Sequence, residues 1–298
     1  MSIIHHIKIS TFFILLLFGT VESPAIEVID DAGRKIFLEH PAQKIISLSP
    51  HITELIFSAG AEERLSGVDE YSNYPKAAKS ITRIGDANNL DIETIISLQP
   101  DLIVAWGSGQ SHNQFIQQLI RLQQTVYISS PENLEAIPRT VENLGKLSGT
   151  YDYAKQQSQK FRNELKNIIA EYSERSLVTV FYEIWHQPLF TINGQHVMSQ
   201  VIEICGGKNI FADLPILSPE VDKESVIAAD PDVIIASGII SESGIQRPPW
   251  LDDWLQWPTI KASKNKHLYH LHPDLIHRQT FRILQGTRII CEQLQRAR

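Results

Sequence analysis

At 298 residues the chain exceeds the size at which one hydrophobic core usually stops growing, so two lobes are expected. With 43% hydrophobic and 20% charged residues and no low-complexity stretch, it is not a disordered chain. A net charge of -7 and a pI near 5.9 leave no basic footprint to neutralise phosphates, which excludes nucleic acid as a partner.

The N-terminus reads as a targeting segment. Lys8 precedes an apolar run from Ile9 to Phe18, too short to span a bilayer but about right for a signal-peptide core. Small residues follow, and cleavage after Ala25, with Ser23 two positions earlier, fits the small-x-small preference. Residues 1–25 are therefore expected to be a signal peptide. Neither of the two cysteines, Cys205 and Cys291, lies near it, so it offers no acceptor for a lipid and the mature protein is expected to be freely soluble. Two cysteines in an exported protein invite a disulfide, worth roughly 4–5 kcal/mol on the loop-entropy model; the alternative is two buried thiols.

Ile26 to Leu38 alternates around Asp30-Asp31-Ala32-Gly33, a hairpin signature. Lys44 to Leu48 is a short apolar strand, and Ser49-Pro50-His51 leads into a helix from Thr53 to Ala59, ended by Gly60. Strands at Leu102 to Trp106 and Thr125 to Ile128 enclose a helical pattern from Asn113 to Leu122, and this alternation predicts parallel βαβ units. From Asp152 to about Glu174 the spacing of Phe161, Leu165, Ile168, Ile169 and Tyr172, with no Gly or Pro, predicts one long helix able to cross from lobe to lobe. Strands at Leu177 to Ile184 and Val233 to Ala236, a helix from Met198 to Ile204 stopped by Gly206-Gly207, and a terminal helix from about Phe281 make a second α/β lobe. The expected division is 26–146, 147–176 for the linking helix, and 177–298.

An internal repeat supports this. Asp91-Ile92-Glu93-Thr94-Ile95-Ile96 runs into Pro100-Asp101-Leu102-Ile103-Val104, and Asp222-Lys223-Glu224-Ser225-Val226-Ile227 runs into Pro231-Asp232-Val233-Ile234-Ile235 at the same offset. Each copy is an Asp N-cap, a Glu in the first turn, and a Pro-Asp turn into a buried parallel strand.

No catalytic constellation is present: there is no Gly-x-Ser-x-Gly elbow, no phosphate-cradling glycine loop with a following Lys, and no His-Glu-x-x-His. His267, His270, His272 and His277 cluster near the C-terminus, but no Cys or paired carboxylate completes a metal set, so they are expected at the surface or rim. Aromatic residues at strand-to-loop junctions say more. Tyr71 and Tyr74 flank Pro75's approach, Trp106 ends a strand before Gly107-Ser108-Gly109, and Trp185 ends another. Ligands sit at the carboxyl ends of parallel strands, where planar side chains face flat or apolar groups.

Ile45 through Leu55, Tyr71-Ser72-Asn73-Tyr74-Pro75, Leu98 through Trp106, Cys205 through Phe211, and Asp274 through Arg278 together resemble the periplasmic cobalamin-binding proteins of vitamin B12 ABC importers, over nearly the whole mature chain. The resemblance implies an α/β fold of two Rossmann-like lobes with parallel sheets joined by a single long helix, and a non-enzymatic, monomeric periplasmic protein. It implies no cofactor and no bound metal; cobalamin or a related corrinoid would be the transported ligand, passed to an inner-membrane ABC permease and ATPase. It assigns ligand contact to Tyr71, Trp106 and the segment Asp274, Leu275, Ile276, His277 and Arg278. It assigns permease docking to Glu93 and Glu224, and a disulfide to Cys205 and Cys291. His51 would line the mouth from the first lobe. Ala87 and the region of Ser218 stand where well-known members carry tryptophans, and Trp185 is a compensating aromatic. The rival readings are a haem or ferric-siderophore binding protein and, from another class, an exported metal-dependent enzyme.

Overall fold

The computed structural model describes residues 25–107, 110–172, 174–241 and 244–298. The expected leader, apart from its last residue, and the pair at 108–109 lie outside the described residues. The chain opens with the antiparallel hairpin of β1 (Ile26–Ile29) and β2 (Lys35–Leu38). Its turn is set by Asp30, whose carboxylate accepts from Ala32 N at 3.0 Å and Arg34 N at 2.8 Å. The elements β3 (Ile45–Ser47), α1 (Pro50–Ser58), β4 (Leu65–Val68), α2 (Ile92–Ser97), β5 (Leu102–Trp106), α3 (Gln110–Arg121), β6 (Val126–Ser129) and α4 (Ala136–Ser148) follow. The 22-residue α5 (Tyr151–Tyr172) comes next, then β7 (Val178–Glu183), α6 (Val197–Ile204), β8 (Gly207–Asn209), α7 (Lys223–Ala229) and β9 (Val233–Ser237). A small hairpin of β10 (Ile239–Ser241) and β11 (Gly244–Gln246), then α8 (Lys261–Lys264), β12 (Leu268–Leu271) and α9 (Ile283–Arg296), complete the chain.

Two four-stranded parallel sheets result, in the orders β4-β3-β5-β6 and β8-β7-β9-β12. The lobes thus have the same topology: the first strand of each lies between its second and third, with the fourth outside the third. The internal repeat is the shared bracing of these sheets. Asp91 caps α2 through Thr94 N at 2.9 Å and Asp222 caps α7 through Ser225 N at 2.6 Å. Asp101 accepts from Lys44 N at 2.9 Å and Asp232 from Thr179 N at 2.8 Å, so each Pro-Asp carboxylate clamps the start of its lobe's first strand.

At 1.5 Å per residue α5 runs for roughly 33 Å. Its buried face is Ala154, Ser158, Phe161, Leu165, Ile168 and Tyr172, alternating steps of four and three. Ile169, expected on that face, is instead exposed, one step of roughly 100° round the helix from buried Ile168, so the buried stripe is narrower than the spacing predicted. Gly149, at a φ of 77°, closes α4 in the left-handed conformation that glycine adopts without strain. The chain then reverses into α5, which approaches so closely that a Cβ at Gly145 would collide with Ala154. One continuous apolar core joins Ile52 and Leu55 of the first lobe, through Phe161 and Ile168, to Val180, Ile276 and Ile283 of the second. Cys205 and Cys291 form a disulfide between the end of α6 and α9. Among the described residues no helix is long and apolar enough to cross a membrane.

The segment boundaries fall within a few residues of the sequence expectations. The largest differences are three residues: α1 starts at Pro50 rather than Thr53, because proline's missing N–H is no loss in the first helical turn, and α3 starts at Gln110 rather than Asn113.

Candidate functional site

Parallel strands deliver their carboxyl ends to one edge of each sheet, and the two lobes bring residues from these ends together. A depression of about 180 Å³ is lined by Ser49, Pro50, His51 and Trp106 from the first lobe and by His277, Arg278 and Gln279 from the second. It forms the floor of the cleft between the lobes.

On the first-lobe wall, His51 is buried in the first turn of α1, with Nδ1 at 2.8 Å from Ser49 Oγ. Its ring meets Trp106 edge to face, centroids 5.5 Å apart at 78°, an arrangement favoured by the aromatic quadrupole. Trp106 keeps 39% of its surface open and Tyr71 keeps 62%. The loop carrying Tyr71 is braced from below. Thr53 Oγ1 lies 2.8 Å from both Ser47 Oγ and Ser72 Oγ, a buried hydroxyl chain that ties β3, α1 and the loop together. Asp69, at the end of β4, accepts from Tyr71 N at 2.8 Å.

Burial raises the Asp69 pKa to about 6, partly offset by the bond from Tyr71 N. The sign follows from proton counting. Between pH ~4 and ~6 the folded state holds a proton that the unfolded chain has lost, so stability falls as pH rises through this window. Asp69→Asn keeps an acceptor for Tyr71 N and removes the ionisation. The variant should unfold about 1–2 kcal/mol harder than the parent at pH 7, with the difference closing below pH ~4. Burial lowers the His196 pKa to about 4, a contribution of opposite sign, so the paired comparison of urea midpoints is the diagnostic. A parent and variant with parallel pH profiles would contradict it.

On the second-lobe wall, His277 Nε2 contacts Ser237 Oγ at the end of β9 and lies 3.3 Å from Tyr182 OH of β7. The residue keeps open surface, but protein atoms crowd its ring and push its pKa down. Asp274 pairs with Arg278 Nε at 3.2 Å. Leu275 and Ile276 are both buried, Ile276 in the continuous core. Their part of the segment anchors it, while His277 and Arg278 reach the floor. Trp185 is 60% exposed just beyond β7, its indole donating to Gln187 O at 2.9 Å, and it is not among the residues lining the floor.

Several residues at the cleft were not singled out from sequence. Arg278 Nη1 donates to Glu54 Oε1 at 3.0 Å and to Asn73 Oδ1 at 2.8 Å. Arg282 Nη1 also donates to Glu54 Oε1, at 3.0 Å, and its guanidinium lies 4.1 Å above the Tyr74 ring. The one signal for this in the sequence is a lone carboxylate inside the apolar run Ile52 to Phe57. Beyond β7, Glu183 is fully buried and accepts from Trp254 Nε1 at 2.8 Å, with His186 Nδ1 2.9 Å away. Burial raises its pKa against those two hydrogen bonds. His186 in turn stacks on Trp250, centroids 5.7 Å apart.

The C-terminal histidines do not converge. His267 faces Asp232 O at 3.3 Å, His272 accepts from Asp274 N at 3.1 Å, and His277 points to Ser237. Among the described residues no group of three or more His, Cys, Asp or Glu is placed to hold a metal ion. Glu93 and Glu224 are both exposed in the first turns of α2 and α7, at matching places in the two lobes.

Comparison with known proteins agrees with this architecture. The Vitamin B12-binding protein of Vibrio campbellii is 33% identical over 264 residues, covering 88% of this chain and 93% of that one. The crystal structure of the periplasmic vitamin B12 binding protein BtuF of Vibrio cholerae aligns with a TM-score of 0.76 at 32% identity, covering 86% of this chain and 98% of that one. The periplasmic heme-binding protein RhuT from Roseiflexus sp. RS-1 shares the fold at 21% identity, with a TM-score of 0.71 over 86% of this chain and 99% of that one. The Periplasmic binding protein family model matches residues 45–275, and the chain belongs to that family.

Proposed function

We propose that this protein captures cobalamin or a related corrinoid between its lobes and delivers it to an inner-membrane ABC permease and ATPase. The observation that carries the reading is the cleft floor, where exposed Trp106 and largely buried Arg278 come from opposite lobes with exposed Tyr71 on the neighbouring loop. The relatives at 32–33% identity that bear the vitamin B12 name support it. A corrin ring offers apolar faces to the aromatic side chains and a rim of amide oxygens to the Arg278 guanidinium. The 180 Å³ depression takes only an edge of such a ligand; the macrocycle lies across it in the open cleft. Tyr71, Trp106, Trp185, His51, Asp274, His277 and Arg278 are the proposed contacts. Where Ser218 replaces an expected tryptophan, the neighbouring exposed Ile216 and Leu217 offer apolar area.

In this reading residues 1–25 are removed on export, the mature protein works in the periplasm as a monomer, and 26–146 and 177–298 are the lobes on either side of the helix within 147–176. Titration calorimetry with cyanocobalamin should give micromolar or tighter binding, and Trp106→Ala should weaken it by about 2 kcal/mol, as expected for a central aromatic contact. Absence of heat with cyanocobalamin, together with a Soret band on adding haemin, would move the assignment to haem.

A further inference from the structure

We propose that Glu54 is the positioning residue of the cleft: from the first lobe it fixes the Arg278 to Arg282 segment of the second, and so sets the separation of the walls and the aim of the Arg278 guanidinium. The inference rests on the capture reading given above. Glu54 lies in α1, a turn beyond His51, with its side chain 3% exposed. Its carboxylate accepts three hydrogen bonds from the other lobe: from Arg278 Nη1 at 3.0 Å, Arg282 Nη1 at 3.0 Å and Thr280 Oγ1 at 2.9 Å. Arg278 extends the clamp to Asn73 at 2.8 Å and Arg282 to the face of Tyr74 at 4.1 Å. Both of these belong to the loop that carries Tyr71. One buried carboxylate thus orients the arginine of one wall and the tyrosine loop of the other.

The chemistry makes this a device for geometry more than for cohesion. A buried ion pair adds little net stability relative to apolar packing, yet it specifies one arrangement, because removing one partner leaves the others charged and unpaired. Here the loss of Glu54 leaves two guanidinium groups side by side at the lobe boundary, where they repel and swing outward. Cohesion is supplied elsewhere: Phe161 of α5 stacks on Phe281, centroids 4.9 Å apart, within the shared core. Loosening at Glu54 therefore widens the cleft without parting the lobes.

The test uses the mature protein with spin labels at Ser97→Cys on α2 and Ala228→Cys on α7, both exposed positions. The two native cysteines are joined to each other and do not compete for the label. Pulsed electron resonance of the parent should give one narrow distance between labels, and Glu54→Gln should broaden it toward longer values. If the competent population falls to about a tenth, the apparent Kd for cyanocobalamin rises about tenfold. Asp30→Asn is the control for a purely structural loss, since the Asp30–Arg34 ion pair at 2.6 Å lies within the first lobe; it should lower the melting temperature and leave both readouts unchanged. Thr280→Val removes only one of the three bonds to Glu54 and should shift both readouts the same way by a smaller amount, which keeps the test open should Glu54→Gln not fold. Unchanged distances and affinity in Glu54→Gln or Thr280→Val overturn the proposal. A parent that does not bind cyanocobalamin removes the capture reading, and the label distances still decide whether Glu54 sets the lobe separation.

Discussion

Replacing Glu93 and Glu224 together with alanine should abolish corrinoid uptake in cells that depend on this protein, while leaving corrinoid binding at the parental affinity. Both carboxylates are exposed, one in each lobe, at the same place in the same repeated motif. Such placement gives a partner two matching handles, and exposed charge is well suited to a complex that must form and release repeatedly. Folding asks little of these side chains. The caps of α2 and α7 are supplied by Asp91 and Asp222, so each glutamate adds only the ~0.3–1 kcal/mol of a carboxylate near a helix N-terminus. Single substitutions should leave partial uptake, since the proposed docking role would still be filled by the carboxylate of the other lobe. Full uptake by the double variant would reduce both residues to helix-dipole carboxylates.

The second large effect is on stability. The Cys205–Cys291 bridge spans 86 positions, and on the loop-entropy model a closure of that length is worth roughly 4–5 kcal/mol. Replacing both cysteines with serine should lower the melting temperature by roughly 10 °C, given the enthalpy of a chain this size. Binding measured well below the transition should be unchanged. Cys205 sits two positions before the first residue of β8, at the amino edge of the second sheet, whereas the cleft lies along the carboxyl edges. A variant that melts with the parent would show that the shared core alone sets the stability. A variant that melts early and also loses affinity would show that the bridge positions α9 and the segment before it.

How far the sequence revealed this arrangement depended on the range of the interaction involved. The hairpin at the start, the strands β5, β6, β7 and β9 and the long α5 carry their own local signals of turn chemistry, apolar runs and helical period, and each lies within a few residues of its expected position. The strands β4 and β8 were not legible. Leu65–Val68 and Gly207–Asn209 are three or four residues long, each contains a glycine, and neither shows a period. Helix α4 was also missed; Pro138 interrupts its pattern, although proline in a first turn costs a helix little.

The site divides in the same way. Trp106 and Tyr71 could be read from sequence because strand ends in parallel sheets are where ligands meet aromatic side chains. Leu275 and Ile276 entered with their neighbours by motif alone, and both side chains are buried. The bonds from Arg278, Thr280 and Arg282 to Glu54 join residues more than two hundred positions apart. Nothing local announces such a pairing beyond an unexplained charge in an apolar helix. The same holds for Glu183, whose partner Trp254 is 71 positions away.

The central claim, capture of a corrinoid between the lobes, is tested most directly by the absorbance spectrum of the protein purified from cells supplied with cobalamin. The account predicts a coloured protein whose visible bands are those of a corrinoid, with close to one ligand per chain, and loss of that colour in Trp106→Ala. A colourless protein that also takes up no added cyanocobalamin on dialysis would contradict it.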